Sequence, residues 1–167
     1  MSDFRVTPFT GERITFDSPK TIDELLGALL ADVGKEPVRI NEVARNFETW
    51  EAYAAEVEAR IGPGGFSLFS IVDHGAWIKK ANIHKKVIRL VIGNPLIAIT
   101  MLRHDLTAGL FAPVELLLVE QEGGGSSLIY VKPSSLMVVE KNDALAAAAA
   151  KLDEKLEALA RKVALSG

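Results

Sequence analysis

The sequence predicts one domain of the α+β class, and three observations lead there. Strand-like and helix-like periodicities follow one another along 167 residues with no linker long enough to divide them. Two apolar strand signals flank a glycine-rich turn, the pattern of an antiparallel hairpin. The chain then closes on a long helix with a clean apolar stripe.

Residues 1–12 read as an arm, and residues 13–165 as the single domain. Residues 13–16 form a short strand, followed by a turn at Asp17, Ser18 and Pro19. Thr21 caps a helix, with Glu24 completing a capping box. Leu25, Leu26, Leu29 and Leu30 make its apolar face, and it stops near Gly34. Residues 35–63 form a second unit: an extended signal at 37–40, then a helix at 48–61 with Trp50, Tyr53, Ala54, Val57 and Ile61 on one stripe. Gly62, Pro63, Gly64 and Gly65 end that helix.

Residues 66–72 are a strand, with Asp73 and His74 just past its end and a short helix around Ala76, Trp77 and Lys80 beyond. Residues 87–92 are apolar except for Arg89, the reading of a central strand. Asn94 suits an N-cap and Pro95 the first helical position, so 96–102 is a helix. Residues 114–119 and 127–131 pair around the turn at 122–125, and 136–139 read as a last edge strand. Asn142 caps the final helix, whose stripe is Leu145, Leu152, Leu156, Leu159 and Val163; alanines at 144 and 146–150 add helix propensity.

Composition narrows the chemistry. The chain has no cysteine, which excludes disulfides, thiolate nucleophiles, iron–sulfur ligation and zinc–thiolate sites. Net charge is −3, and the basic clusters Lys79-Lys80 and Lys85-Lys86 are a thin supply for phosphate contacts, so no nucleic-acid partner is expected. No signal segment and no membrane-length apolar run is visible, and the expectation is a cytoplasmic protein with no membrane partner.

Candidate functional residues are few. His74, His84 and His104 are ten and twenty residues apart, which offers no local metal spacing, so no metal or cofactor is expected. Asp73 and His74 are the pair with acid–base potential: a carboxylate beside an imidazole can orient its tautomer. The plainer reading makes Asp73 a cap and His74 a half-buried side chain. Gly93, Asn94 and Pro95 sit where a strand opens a helix, a place that attracts anions, although a helix cap accounts for Asn94 and Pro95. Arg89 and Glu115 each interrupt an apolar strand. They read either as residues of a solvated sheet face, or as an ion pair or ligand contact. The glycines at 123–125 lie between strands and lack the helix and lysine of a phosphate loop. No Gly-x-Ser-x-Gly elbow is present. Trp50 and Trp77 read as core.

From Phe66 onward the chain is similar to the domain-of-unknown-function family 302 (DUF302, TT1751-like). The residues are Gly65-Phe66, Val72-Asp73-His74-Gly75-Ala76, Leu90-Val91-Ile92-Gly93-Asn94-Pro95, the run from Ala112 to Glu120, and Tyr130 to Pro133 with Leu136. Ala112 stands where a leucine is usual, and Thr100 and Met101 fit a Thr-x-x-Met element only with altered spacing. Residues 13–33 resemble the family's opening strand and helix, which makes 35–63 an insertion. The resemblance implies a curved, mainly antiparallel sheet gripped by helices, a homodimer, and Asp73, His74 and Asn94 as the first site positions, with two strand ends converging. The insertion would cover that site or extend the dimer interface. Three functions stay open: a homodimeric small-ligand-binding or accessory domain using Asn94, Arg89 and Glu115; a small enzyme with His74 as acid or base and Asp73 and Asn94 as orienters; and a structural partner subunit.

Overall fold

The computed structural model describes residues 3–167. The chain runs β1 (Arg13–Ser18), α1 (Ile22–Val33), α2 (Ile40–Arg45), α3 (Trp50–Glu58), β2 (Ser67–Asp73), α4 (Gly75–Ile78), β3 (Val87–Gly93), α5 (Pro95–Leu102), β4 (Val114–Glu120), β5 (Ser126–Val131), α6 (Pro133–Met137) and α7 (Asp143–Leu165). A 3-10 turn, Lys79–Ala81, extends α4, and another, Leu106–Leu110, follows α5. The strands form one sheet in the order β1-β5-β4-β3-β2, with every neighbouring pair antiparallel. This is an α+β fold with a long C-terminal helix.

Alternation along the strands places the core. Ile88, Leu90 and Ile92 of β3, Val114, Leu116 and Leu118 of β4, and Leu128 and Tyr130 of β5 are buried on one face. Against them pack Leu25 and Leu29 of α1 and Leu145, Leu152, Leu156, Leu159 and Val163 of α7. The stripe on α7 is the one the helical period predicts. The opposite face carries Arg89, Glu115, Leu117, Ile129 and Val131, none of them buried. β3 is thus interior, with β2 and β4 on either side, but it is covered on one face only.

Three elements differ from expectation. Residues 136–139 are not an edge strand. β5 already pairs with β1 on one side and β4 on the other, so no place beside β5 is open to the segment that follows it. Pro133, which lacks an amide proton, instead starts α6, and Ser134 N–H donates to Asp153 Oδ1 at 3.0 Å, tying α6 to α7. The extended signal at 37–40 reduces to one bond, Val38 N–H to Leu68 O at 2.8 Å, before α2 begins. Trp50 and Trp77 are not core: they are 47% and 57% exposed. The two α3 rings Trp50 and Tyr53 pack on one another, while Val57 alone of that stripe is fully buried.

The glycines at 62–65 do more than end a helix. Asp32, at the end of α1, is 5% exposed. Its carboxylate accepts from Gly64 N–H at 2.8 Å and from Lys162 Nζ of α7 at 2.7 Å. A Cβ on Gly62 would lie 1.7 Å from the Asp32 carbonyl oxygen, so the loop approaches α1 more closely than any side chain permits. One carboxylate thereby joins α1, the entry to β2 and α7.

Asp32→Ala is expected to lower stability by about 2 kcal/mol, because it strands the part-buried Gly64 amide while Lys162 can return to water. Urea unfolding checks this. Tyr130 supplies an alkaline signature. Burial, reinforced by Glu157 and Asp153, pushes its phenol up to about 12. The folded state therefore holds this proton more tightly than the unfolded chain, where the group titrates near ~10. Stability from Tyr130 is complete below that unfolded value and is lost as pH rises through the folded one. Tyr53, raised by burial, acts with the same sign. Unfolding free energy measured from neutral to strongly alkaline pH should decline over that window, and Tyr130→Phe should flatten the decline.

Candidate functional site

The two strand ends expected to converge lie at opposite ends of one hairpin. β2 and β3 are antiparallel, with Asp73 opposite Ile88 and Ser67 opposite Gly93. Asp73 and His74 therefore stand about 20 Å from Asn94, six residues at roughly 3.3 Å each. They do not share a cavity.

Each of these residues has local work. Asp73 Oδ1 accepts from Ala76 N–H at 3.1 Å and so caps α4. His74 is half-buried, and its Nδ1 accepts from the Trp77 indole N–H at 3.3 Å rather than facing Asp73. Asn94 makes two bonds. Its Oδ1 accepts from Leu96 N–H and its Nδ2 donates to Gly65 O, each at 2.9 Å. The first caps α5 and the second ties that cap to the loop leading into β2. Asn94 also borders a small cavity of about 180 Å³, whose other walls are Ile40, Phe66, Phe69, Pro95, Ile97 and Leu152 among further apolar groups. Ile40 reaches it from the 35–63 segment, which thus lies over Asn94 and α5. His84 is exposed, and His104 lies exposed beyond the end of α5. Among the described residues, no three His, Asp or Glu side chains gather as a metal site would require.

The other pair does meet. Arg89 lies opposite Leu117 and Glu115 opposite Val91, so the two are diagonal neighbours on the uncovered face. Arg89 Nε donates to Glu115 Oε2 at 3.1 Å, and Nη2 pairs with Oε1. This two-bond geometry is the strong form of an arginine–carboxylate contact. Both readings of these residues hold together: the face is solvated, and the two are paired across it.

They border the larger concavity, about 620 Å³. Its floor is the uncovered face, with Leu117, Ile129 and Val131. Leu110, Phe111 and Pro113 form one wall, and Pro133 and Leu136 another. Arg13 and the Arg89–Glu115 pair supply the charge. The arm braces this end of the sheet: Phe9 meets Phe111 edge-on at 6.3 Å, and Lys132 N–H donates to Glu12 O at 2.8 Å. Residues 1 and 2 of the arm lie outside the described residues.

Arg13, Leu117, Ile129 and the 110–113 wall carry no motif that would mark them as site residues. The signal in the sequence is weaker. Side chains along an extended strand point alternately to its two faces, so a strand over 114–119 puts Glu115 and Leu117 on one face, and one over 127–131 does the same for Ile129 and Val131. Arg13 joins them by its pairing with Val131, which only the β1–β5 register reveals.

The difference between Asn94 and His74 is measurable. Asn94→Ala should cost about 1–2 kcal/mol through the lost cap, and more through the Gly65 bond. His74→Ala should stay within about 1 kcal/mol. Chemical denaturation of both variants reads this directly, and a reversed order would show that Asn94 is not a structural cap.

A search of curated proteins found no match. Among solved structures, the chain is similar to the uncharacterized conserved protein DUF302 from Bacillus stearothermophilus, with 19% identity over 90% of this chain and 97% of that one and a TM-score of 0.63. At that identity the likeness concerns the fold. The family model described as domain of unknown function DUF302 matches residues 41–163, well over half the chain and including the Asp-His, Gly-Asn-Pro and Ala112–Glu120 segments. The chain belongs to the DUF302 family.

Proposed function

We propose that this chain is a small-molecule-binding domain whose ligand lies on the uncovered face of the sheet, between Arg13, Arg89 and the walls at 110–113 and 133–136. The observation that carries the reading is the combination of an apolar floor with a cationic edge in one concavity of about 620 Å³. Small-molecule pockets have this make-up: mostly apolar lining, a few placed polar groups, and volumes of about 300–1,000 Å³.

The chemistry narrows the ligand. Two arginines and one glutamate line the pocket, leaving one net positive charge. Glu115 uses two of Arg89's donors, and an arginine carries five, so others remain for a ligand. Among the described residues Arg13 makes no ion pair. An amphipathic monocarboxylate fits best. Its apolar body would lie on Leu117, Ile129 and Val131, and its carboxylate would face Arg89, with Arg13 three strands away at the other rim.

Thermal unfolding should be recorded with a series of medium-chain carboxylates and with the alcohols of equal length. A ligand that binds only the folded state raises the melting temperature by mass action. Carboxylates should raise it and the alcohols much less, and Arg89→Ala should weaken binding by about tenfold or more, the worth of a charged hydrogen bond. Shifts that are equal for acids and alcohols, or unchanged in Arg89→Ala, would overturn the reading.

A further inference from the structure

The connection between β2 and β3 is a lobe with no structural reason for its composition. No residue from 74 to 87 is buried. Yet the lobe holds Trp77, 57% exposed, and Ile83, 51% exposed. Exposed Ile71 and Val72 adjoin its base on β2. Large apolar side chains clustered at an exposed tip mark a contact surface more often than an accident.

The lobe is ordered in a way that keeps these side chains out. Ile83 N–H donates to Ile78 O at 3.2 Å, and Asn82 takes the left-handed conformation, φ 63°, that closes the turn. The Trp77 indole N–H is held by His74 Nδ1, with the two rings edge-on at 5.9 Å. Its polar atom is thus bonded at the base of the lobe while much of the ring is left to solvent.

Charge identifies what the surface meets. Lys79, Lys80, Lys85 and Lys86 all lie in this lobe, and residues 74–104 contain no Asp or Glu, in a chain whose net charge is −3. Lys86 pairs with Asp23, whereas Lys79, Lys80 and Lys85 make no ion pair among the described residues. Asp23, Asp73 and Glu120 thus gather about Lys86, while Lys79, Lys80 and Lys85, close in sequence to the exposed Trp77 and Ile83, are left unpaired among the described residues.

We propose that this lobe docks the protein on an anionic lipid surface, with Trp77 and Ile83 at the headgroup–acyl boundary and Lys79, Lys80 and Lys85 on the headgroup phosphates. Tryptophan favours that boundary, lysine stems lie along apolar surface while their ammonium groups reach water, and anionic lipid attracts clustered lysines. Among the described residues no helix is long and apolar enough to cross a membrane, which concerns spanning and not adhesion. A nucleic acid would also attract lysines and stack on Trp77. It would leave Ile83 without a partner, and the lobe has no arginine. The proposal uses no residue of the pocket and stands apart from the function proposed there.

Co-sedimentation of the full chain with vesicles tests it, comparing phosphatidylglycerol–phosphatidylcholine mixtures with phosphatidylcholine alone. Trp50→Phe leaves Trp77 as the single indole, because the chain has 2 tryptophans. Binding should require phosphatidylglycerol and weaken with salt. Trp77 emission should shift to the blue. The double variant Lys79→Glu/Lys80→Glu and, separately, Trp77→Ser should each reduce binding by about tenfold or more, with an unchanged circular dichroism spectrum. No sedimentation, equal binding to phosphatidylcholine, or no effect of charge reversal would overturn the proposal. So would tighter binding to a single-stranded oligonucleotide than to the vesicles.

Discussion

All the long helical packing falls on one face of the sheet, and the rest of the molecule follows from that. The side chains of β3, β4 and β5 alternate strictly, so covering Leu90, Leu116 and Leu128 necessarily turns Arg89, Leu117 and Ile129 the other way. α1 and α7 fill the covered face. Antiparallel sheets tolerate such one-sided packing, but usually with a polar outer face. Here the outer face keeps Leu117, Ile129, Val131 and Val91 between charged residues. Apolar surface left accessible in a concavity does not stabilise the isolated chain. Its presence is what supports the ligand site proposed for this face.

The covered face is held together by ties between elements far apart in sequence. Asp32 links α1 and the 62–65 loop to α7. Lys20 Nζ donates to Val163 O at 2.7 Å and also to Ser166 O, satisfying carbonyls that the end of α7 cannot satisfy itself. Asn94 joins the start of α5 to the entry of β2. Such side chains look chemically interesting in a sequence because they are polar in apolar surroundings. Polar groups at helix ends are placed there by unpaired backbone groups, and that demand is met before any ligand is considered.

The same demand separates what is legible in the sequence from what is not. Helices with caps and stripes are readable: Thr21 with Glu24, Asn94 with Pro95 and Asn142 each begin a helix as their chemistry predicts. The hairpin of β4 and β5 is readable from two apolar strand signals flanking a glycine turn. The stretch at 136–139 misleads because short apolar runs suit strand and helix alike, and the deciding fact, that β5 has no open edge, is tertiary. The expected meeting of Asp73, His74 and Asn94 fails for a related reason. Motifs at successive strand ends converge when strands are parallel and separate when they form a hairpin, and the sequence of each motif is the same in both cases. Arg89 and Glu115 are legible as anomalies within apolar strands. Their diagonal pairing depends on register.

The uncovered face connects the two regions that packing leaves unexplained. Thr15, Ile129, Leu117, Arg89 and Val72 form one row across it, each opposite the next in register. One step along the strands, Ser127, Val119 and Val87 form another, and Val87 O accepts from His74 N–H at the base of the lobe. Valine side chains thus continue the pocket's apolar floor toward the Trp77 end of the sheet. The 110–113 and 133–136 walls enclose the far end only. On the proposed reading, the ligand's carboxylate would sit at Arg89 and its apolar tail would run toward Val87 and Val119. The asymmetry follows from where the walls are attached: they flank the start of β4 and the end of β5, whereas the lobe springs from the end of β2 and the start of β3. Antiparallel order places those two sets of termini at opposite ends of the sheet, so enclosure and exposure are separated by the fold itself.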